Sequence, residues 1–253
     1  MDGRTLVDRL RIDRRHTFFG RLRTTSMVTG AILAGGRSTR FGDEDKAVAS
    51  LAGTPMIRRV ADRLAGTAPP VEPGAAAASN GESVIDNLVV NCRADQREPI
   101  ANAMTGYPLE VAYVEDETPD QGPMAGIRNA CRGAPDEWTV IVACDMPFVD
   151  PTLVSYLCGV ARDHEAAVPR LEDEWYQTTQ AVYRSAPMAD ACDRALARGD
   201  RKILEPLFDL DYVVVDDDAI RDVTTELTFD NVNTSADLKR AERRYRADGP
   251  DSE

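Results

Sequence analysis

The run Gly30-Ala-Ile-Leu-Ala-Gly-Gly-Arg-Ser-Thr-Arg-Phe-Gly42, followed by Lys46, holds the residues of this chain best suited to a polyphosphate. An apolar stretch from Val28 to Leu33 runs into Ala34-Gly35-Gly36, where missing side chains let the backbone approach a ligand closely. Arg37, Arg40 and Lys46 follow, and backbone N–H groups combined with fixed cations suit a triphosphate. No Gly-Lys-Ser/Thr follows the glycines, so this is not a Walker loop, and the spacing is wrong for a Gly-x-Gly-x-x-Gly dinucleotide fingerprint. Taken alone, the spacing is also compatible with a tight turn bearing solvated charges.

Asp145 is the second anchor. It follows the apolar run Trp138-Thr-Val-Ile-Val-Ala-Cys144 and precedes Met-Pro-Phe. A carboxylate at the tip of a buried strand is costly unless it is paired or metal-bound. Magnesium, which takes one or two carboxylates plus substrate phosphates, fits such a position. The competing reading is a turn or helix-capping aspartate, since a helix starts soon after, at Asp150-Pro151. Asp116 closes the strand-like Leu109-Glu-Val-Ala-Tyr-Val, where it can accept from a base or a ribose, or simply join the solvated run Glu115-Asp116-Glu117. Asn91 closes Leu88-Val-Val-Asn and suits either a ligand contact or an Asx-turn. Asn231 and Asn233, two apart in an extended segment, share one side of it. Both can face a cleft, or both can serve turn and capping chemistry.

The elements that must carry these residues alternate. Strand-like runs lie at 28–34, 87–91, 110–114, 138–143, 165–168 and 212–215. Met56, Ile57, Val60 and Leu64 repeat at helical spacing after Pro55; Gly122-Pro123 opens a helix through Cys131; and Pro151 opens another carrying Leu153, Val154, Leu157 and Val160. Thr234-Ser-Ala-Asp237 resembles a capping box, with Asp in place of Glu, ahead of a C-terminal helix ending near Arg246. Such alternation predicts an α/β fold with a mostly parallel sheet covered by helices on both faces. Ligands in such sheets sit beyond the carboxyl ends of the strands, where every residue singled out above falls.

With 253 residues the chain has ample length for a core, and no run of eighteen apolar residues marks a membrane span. The formal charge is −13, but residues 1–26 carry +4, which leaves the remainder at −17. Such an acidic body argues against nucleic acid as a partner. Lysine is scarce, with only Lys46, Lys202 and Lys239 among 30 basic residues. An acidic, lysine-poor composition points to a surface of the salt-adapted, haloarchaeal type, and makes a lysine beside a glycine loop stand out. The five cysteines form no C-x-x-C pair, so free thiols in a reducing cytoplasm are expected rather than disulfides or zinc. His16 and His164 have no ligand-like neighbours and are expected on the surface.

Residues 1–26 are expected to be a basic arm, disordered, or not translated at all if synthesis starts at Met27. A single domain is expected over 27–246, with a flexible Pro/Gly/Ala-rich insertion at 67–83 and a disordered tail at 247–253.

Leu-Ala-Gly-Gly-Arg-x-x-Arg-x-Gly, an Asp-Lys pair and Leu-x-Gly-x-Pro together form an opening that resembles the sugar-nucleotide-type nucleotidyltransferases. Val-Val-Asn91, Glu115-Asp116, Gly122-Pro-Met-Ala-Gly126, Cys144-Asp-Met-Pro147 and Asn231-Val-Asn-Thr234, in that order, narrow the resemblance to molybdenum cofactor guanylyltransferases of the MobA type, from Met27 to about Ala241 without the insertion at 67–83. The resemblance implies an α/β fold of Rossmann-like three-layer αβα type, with a mostly parallel twisted sheet (nucleotide-diphospho-sugar transferase-like), and a reaction between GTP and molybdopterin with Mg2+. It implies that Leu33, Ala34, Gly35 and Gly36 lie against the guanine nucleotide and that Lys46 contacts its phosphates, with Arg40 assisting. Asn91 and Asp116 would select guanine or hold the nucleoside, Asp145 would bind the metal, and Asn231 and Asn233 would lie on the molybdopterin side. A monomer or weak oligomer in the cytoplasm, with transient contacts to molybdoenzymes and none to nucleic acid or membrane, goes with it. The sequence departs from the pattern at Gln177-Thr-Thr179 (Gln-Pro-Leu in many members), Asn233-Thr-Ser235 (Asn-Thr-Pro) and Phe41 (Met), and has one extra residue in Gly42-Asp-Glu-Asp-Lys46. The first departure touches the acceptor side, and leaves open the same chemistry on another acceptor (a cobinamide phosphate, a phospholactate, a sugar 1-phosphate) or with CTP. A GTP-binding regulator without catalysis is the reading from a different class.

Overall fold

A computed structural model describes residues 27–36, 45–68, 83–116, 122–171 and 175–247. Arg37, Arg40, Phe41, the arm 1–26, most of the insertion and the tail 248–253 lie outside the described residues. β1 (Val28–Leu33) leads, past the loop bearing Lys46, to a two-stranded hairpin of β2 (Ser50–Leu51) and β3 (Thr54–Pro55) and to helix α1 (Met56–Leu64). Then come β4 (Asn87–Cys92), α2 (Arg97–Ala103), β5 (Val111–Glu115), α3 (Pro123–Gly133), β6 (Trp138–Ala143), α4 (Pro151–Val160) and β7 (Ala166–Pro169). β8 (Gln180–Arg184), α5 (Ser185–Arg198), β9 (Tyr212–Val215), α6 (Asp217–Arg221) and α7 (Ser235–Ala247) complete the order.

Seven strands form one sheet in the order β5-β4-β1-β6-β8-β7-β9. All pairings are parallel except those of β8, which runs antiparallel to both β6 and β7. β8 is not among the strands expected from apolar patterning. Its five residues begin at Gln180, end at Arg184 and pass directly into a helix, so neither its length nor an apolar run marks it. Its register beside β6 nevertheless leaves it fully buried over Gln180–Tyr183.

Strand alternation separates the two faces. Ile32, Leu88, Val90, Val140 and Val142 face α1, α2 and α4, whereas Ala31, Val89 and Ile141 face α3 and α5. Helices therefore cover both faces, and the central strands are buried on both sides, which is why they read as continuous apolar runs. A third, smaller cluster joins Leu51 and Met56 to Phe148, Val232 and Ala241, fastening α7 to the end of the sheet where β6 finishes.

Local signals behave as their chemistry requires. Asp150 accepts from Thr152 N at 2.8 Å and caps α4. Asp237 N donates to Thr234 Oγ1 at 3.2 Å, while Asp237 Oδ2 accepts from Thr234 N at 2.9 Å, a reciprocal cap with Asp in the place of Glu. The ends of the insertion are tied down: Thr67 N donates to Asp62 O at 2.9 Å and Val84 N to Leu64 O at 3.1 Å. His164 lies at the surface, half-buried beside an exposed carboxylate. Its side chain is 18% accessible and Nδ1 lies 3.2 Å from Asp211 Oδ2. Among the described residues, no helix is long and apolar enough to cross a membrane.

All five cysteines are free, and four of them are buried. Burial pushes the Cys92 thiol up to about 11 and the Cys192 thiol up to about 12. The folded protein thus keeps protons that an unfolded chain releases near pH 9. Their contribution is fully present below pH 9 and is lost as pH rises through 11–12. The melting temperature is expected to stay level from pH 7 to 8.5 and to fall between pH 9 and 11. A melting temperature that is level to pH 11 contradicts this assignment.

Candidate active site

The carboxyl ends of β1, β4, β5 and β6 lie side by side, and the ladder continues past them. Ala34 N donates to Asn91 O at 2.8 Å, Asp116 N to Cys92 O at 3.0 Å and Cys144 N to Leu33 O at 3.1 Å. Four segments distant in sequence are thereby set in register: Leu33–Gly36, Asn91, Asp116 and Asp145.

Asn91 and Asp116 form one half of the site. Asn91 is 2% exposed, and its Nδ2 donates to Asp116 Oδ1 at 2.9 Å and to Val114 O at 3.2 Å. Asn129 Nδ2, from α3, reaches the same Asp116 oxygen at 3.4 Å. Two glycines press on this pair. A Cβ at Gly35 would stand 2.5 Å from Asp116 Oδ2, and one at Gly126 would stand 2.7 Å from Asn91 Oδ1. Leu33 lies on the same side, 3.7 Å from a Cβ at Gly126. Only residues without side chains allow strand ends and helix α3 to close on the Asn91–Asp116 pair.

Lys46 organises the other half. Its ammonium sits 2.7 Å from Asp145 Oδ2 and donates to Asn233 Oδ1 at 2.7 Å. The lysine is only 8% exposed, so its charge is held by partners rather than water. Val232 N donates to Asp145 O at 2.8 Å while Val232 itself is buried, which brings Asn233 to the lysine. The loop after Asp145 is braced from two sides. Tyr245 Oη donates to Pro147 O at 2.7 Å with its ring stacked on Phe148, and the largely buried Arg63 donates to Val149 O.

Asp145 Oδ1 is buried and without a hydrogen-bond partner, an arrangement that favours an incoming cation. Among the described residues no group of three or more His, Cys, Asp or Glu side chains could hold a metal ion. A metal here would rest on this one carboxylate and on its ligand's oxygens.

The structure divides the asparagine pair. Both are exposed on either side of buried Val232, as alternation demands, but Asn231 Nδ2 bonds Phe229 O at 3.1 Å within its own loop while Asn233 joins Lys46. Three further residues belong here that are not among the expected ones. Asp45 Oδ1 accepts from Ala47 N, Gln96 bonds both Ala34 O and Asp45, and Arg93 bonds Gly35 O and Gly36 O. The Asp-Lys pairing is a local signal for Asp45. Nothing local marks Gln96 or Arg93, whose roles depend on contacts some 50 to 60 residues away.

Residues 30–213 match the model of the MobA-like NTP transferase domain, well over half of the chain. The chain belongs to the MobA-like NTP transferase family. Among relatives, a probable molybdenum cofactor guanylyltransferase of Natronomonas pharaonis is 44% identical over 216 residues, spanning 85% of this chain and 97% of that protein. Another of the same description, from Haloferax mediterranei, is 34% identical, spanning 83% of this chain and 90% of that protein. In the solved structure of molybdopterin-guanine dinucleotide biosynthesis protein A from Archaeoglobus fulgidus, the similar part covers 87% of this chain and 99% of that one. Its TM-score is 0.65 and its identity 27%. Membership in the MobA-like family makes this chain a nucleotidyltransferase of mixed α/β fold with a mostly parallel sheet.

Proposed function

We propose that this chain transfers GMP from GTP to the terminal phosphate of molybdopterin, yielding molybdopterin guanine dinucleotide and pyrophosphate. The observation that carries the reading is Lys46 bridging Asp145 and Asn233 at the sheet edge that also carries the hydrogen-bonded pair Asn91 and Asp116. Relatives described as molybdenum cofactor guanylyltransferases support the choice of base and acceptor.

Leu33, Ala34, Gly35 and Gly36 would receive the nucleotide, with Asn91 and Asp116 holding guanine or its ribose. Lys46 would exchange a side-chain partner for a phosphate oxygen, and Arg37 and Arg40 would offset the β and γ charges. Asn233, with Asn231 nearby in sequence, would meet the acceptor. A phosphate oxygen of molybdopterin attacks the α-phosphorus, a new P–O bond forms, the α–β bridge breaks and its electrons leave with pyrophosphate. No covalent enzyme intermediate is needed, because a phosphate monoester is already an adequate nucleophile at neutral pH. Catalysis then consists of positioning and charge neutralisation. The unpartnered Asp145 Oδ1 fits magnesium, which when bound would neutralise charge on the α-phosphate. Asp145 would hold that ion with one carboxylate, and Lys46 would keep Asp145 oriented until the nucleotide arrives. The free thiols suit a cytoplasmic setting.

The test is pyrophosphate release with Mg2+, each nucleoside triphosphate and molybdopterin. Release only with GTP and molybdopterin together is expected, and chelation of the metal should stop it. Release with CTP would move the chain to cytidylyl transfer, and release with a different phosphorylated acceptor would overturn the molybdopterin assignment. GTP binding without release under any condition would favour a regulator. The acidic, lysine-poor composition carries a separate expectation: activity and melting temperature rise as KCl is raised from about 0.1 M towards the molar range. An optimum at low salt contradicts it.

A further inference from the structure

Gln96 is a buried amide, 2% exposed, on the short 3-10 turn Ala94–Gln96 that follows β4. Its Nε2 donates to Ala34 O at 2.9 Å and to Asp45 Oδ2 at 2.7 Å, and its Oε1 accepts from Arg93 N at 3.0 Å. Arg93, two places after Asn91, sends Nη1 to Gly35 O at 3.3 Å and to Gly36 O at 2.9 Å, and its Nη2 lies 3.6 Å from Asp45 Oδ2. Two side chains from one turn thus grip the last described residues before the 37–44 segment and the first one after it.

The peptide unit is planar and trans, so its carbonyl and its N–H point to opposite sides. Holding Ala34 O and Gly35 O from the side of Arg93 and Gln96 therefore turns the N–H groups of Gly35 and Gly36 to the other side. Two consecutive N–H groups turned to one side are donors suited to an anion. The same grip fixes Asp45. Asp45 Oδ1 takes Ala47 N at 2.9 Å, and its carbonyl takes Val48 N at 3.1 Å and Ala49 N at 3.0 Å, so the turn carrying Lys46 is set by Asp45.

We propose that Arg93 and Gln96 are positioning residues for the triphosphate. They aim the Gly35 and Gly36 N–H groups and the Lys46 turn at the phosphates, and they touch neither base nor acceptor. The inference rests on the nucleotide reading above and adds to it the residues that give the phosphate subsite its shape.

The experiment compares calorimetric affinities for GTP, with magnesium, and for guanosine, which has no phosphate, in the wild type, Arg93→Met and Gln96→Leu. Each variant is expected to bind GTP about tenfold more weakly, the scale of losing charge-assisted or buried hydrogen bonds, with guanosine affinity unchanged. Arg93, whose side chain is 20% exposed, is the variant that tests the idea if Gln96→Leu does not fold. Equal loss for GTP and guanosine overturns the inference in favour of general structural damage. Wild-type GTP affinity in the variants overturns it outright while leaving the nucleotide reading intact. If the wild type itself binds GTP no better than guanosine, the nucleotide reading falls and this inference with it.

Discussion

Replacing Asp145 with alanine is expected to lower kcat about 10²–10³-fold at saturating GTP and magnesium, the scale of losing one preorganised electrostatic partner at a charged transition state, about 3–4 kcal/mol. Two consequences of the change add. The orphan Oδ1, the oxygen suited to a cation, disappears, and Lys46 is left 8% exposed with Asn233 as its remaining partner in the constellation. A buried lysine that loses its carboxylate also costs stability, because an uncompensated charge stays in a poorly solvated place. Asp145→Asn separates the two effects. It keeps an oxygen for the lysine and the shape of the site, but has no charge for a metal. A chemical role predicts that Asn is nearly as inactive as Ala while melting closer to wild type. Near-normal single-turnover pyrophosphate release by either variant at saturating magnesium would remove Asp145 from the reaction.

The largest effect on binding is expected from Gly35→Ala. The new methyl would stand 2.5 Å from Asp116 Oδ2, closer than any carbon–oxygen contact tolerates. Asp116 cannot swing away cheaply, since its other oxygen is held by Asn91 at 2.9 Å and by Asn129 at 3.4 Å. Either the carboxylate abandons these partners or the Gly35 backbone retreats from the strand ends. Overpacking of this kind costs about 1–3 kcal/mol, or about 5- to 150-fold in GTP affinity if the strain falls on the site. Gly126→Ala attacks the pair from α3, 2.7 Å from Asn91 Oδ1, and should act in the same direction. Calorimetric GTP titration, with thermal melts to check the fold, decides the matter. A Gly35→Ala protein with wild-type GTP affinity would place the nucleotide away from Asn91 and Asp116.

Much of the architecture is legible in the amino-acid sequence, for a definite reason. A parallel strand covered by helices on both faces must be apolar throughout, so β1, β4 and β6 announce themselves as runs such as Val28–Leu33. Chemistry at the carboxyl ends of such strands then falls on the residues where the runs stop, which are Gly35, Asn91, Asp116 and Asp145. Caps are legible too, because Asp150 and Thr234–Asp237 act within four residues of themselves. β8 escapes because an internal antiparallel strand only five residues long, leading straight into a helix, carries no signal of its own until β6 and β7 flank it.

The sequence by itself determined the α/β class, the runs that become the central parallel strands and the residue types that gather at one edge of the sheet. These depend on local apolar patterning and on short-range hydrogen bonding. Only the tertiary structure decided how those residues pair. It joined Lys46 to Asp145 and Asn233 while leaving Asn231 to its own loop, and it set Asn91 against Asp116. It also brought Gln96 and Arg93 to the glycine loop. Each of these long-range contacts spans tens to nearly two hundred residues. Their partners are chosen by strand order, by glycines that permit close approach and by buried anchors such as Val232, and none of those is a property of a short stretch of chain.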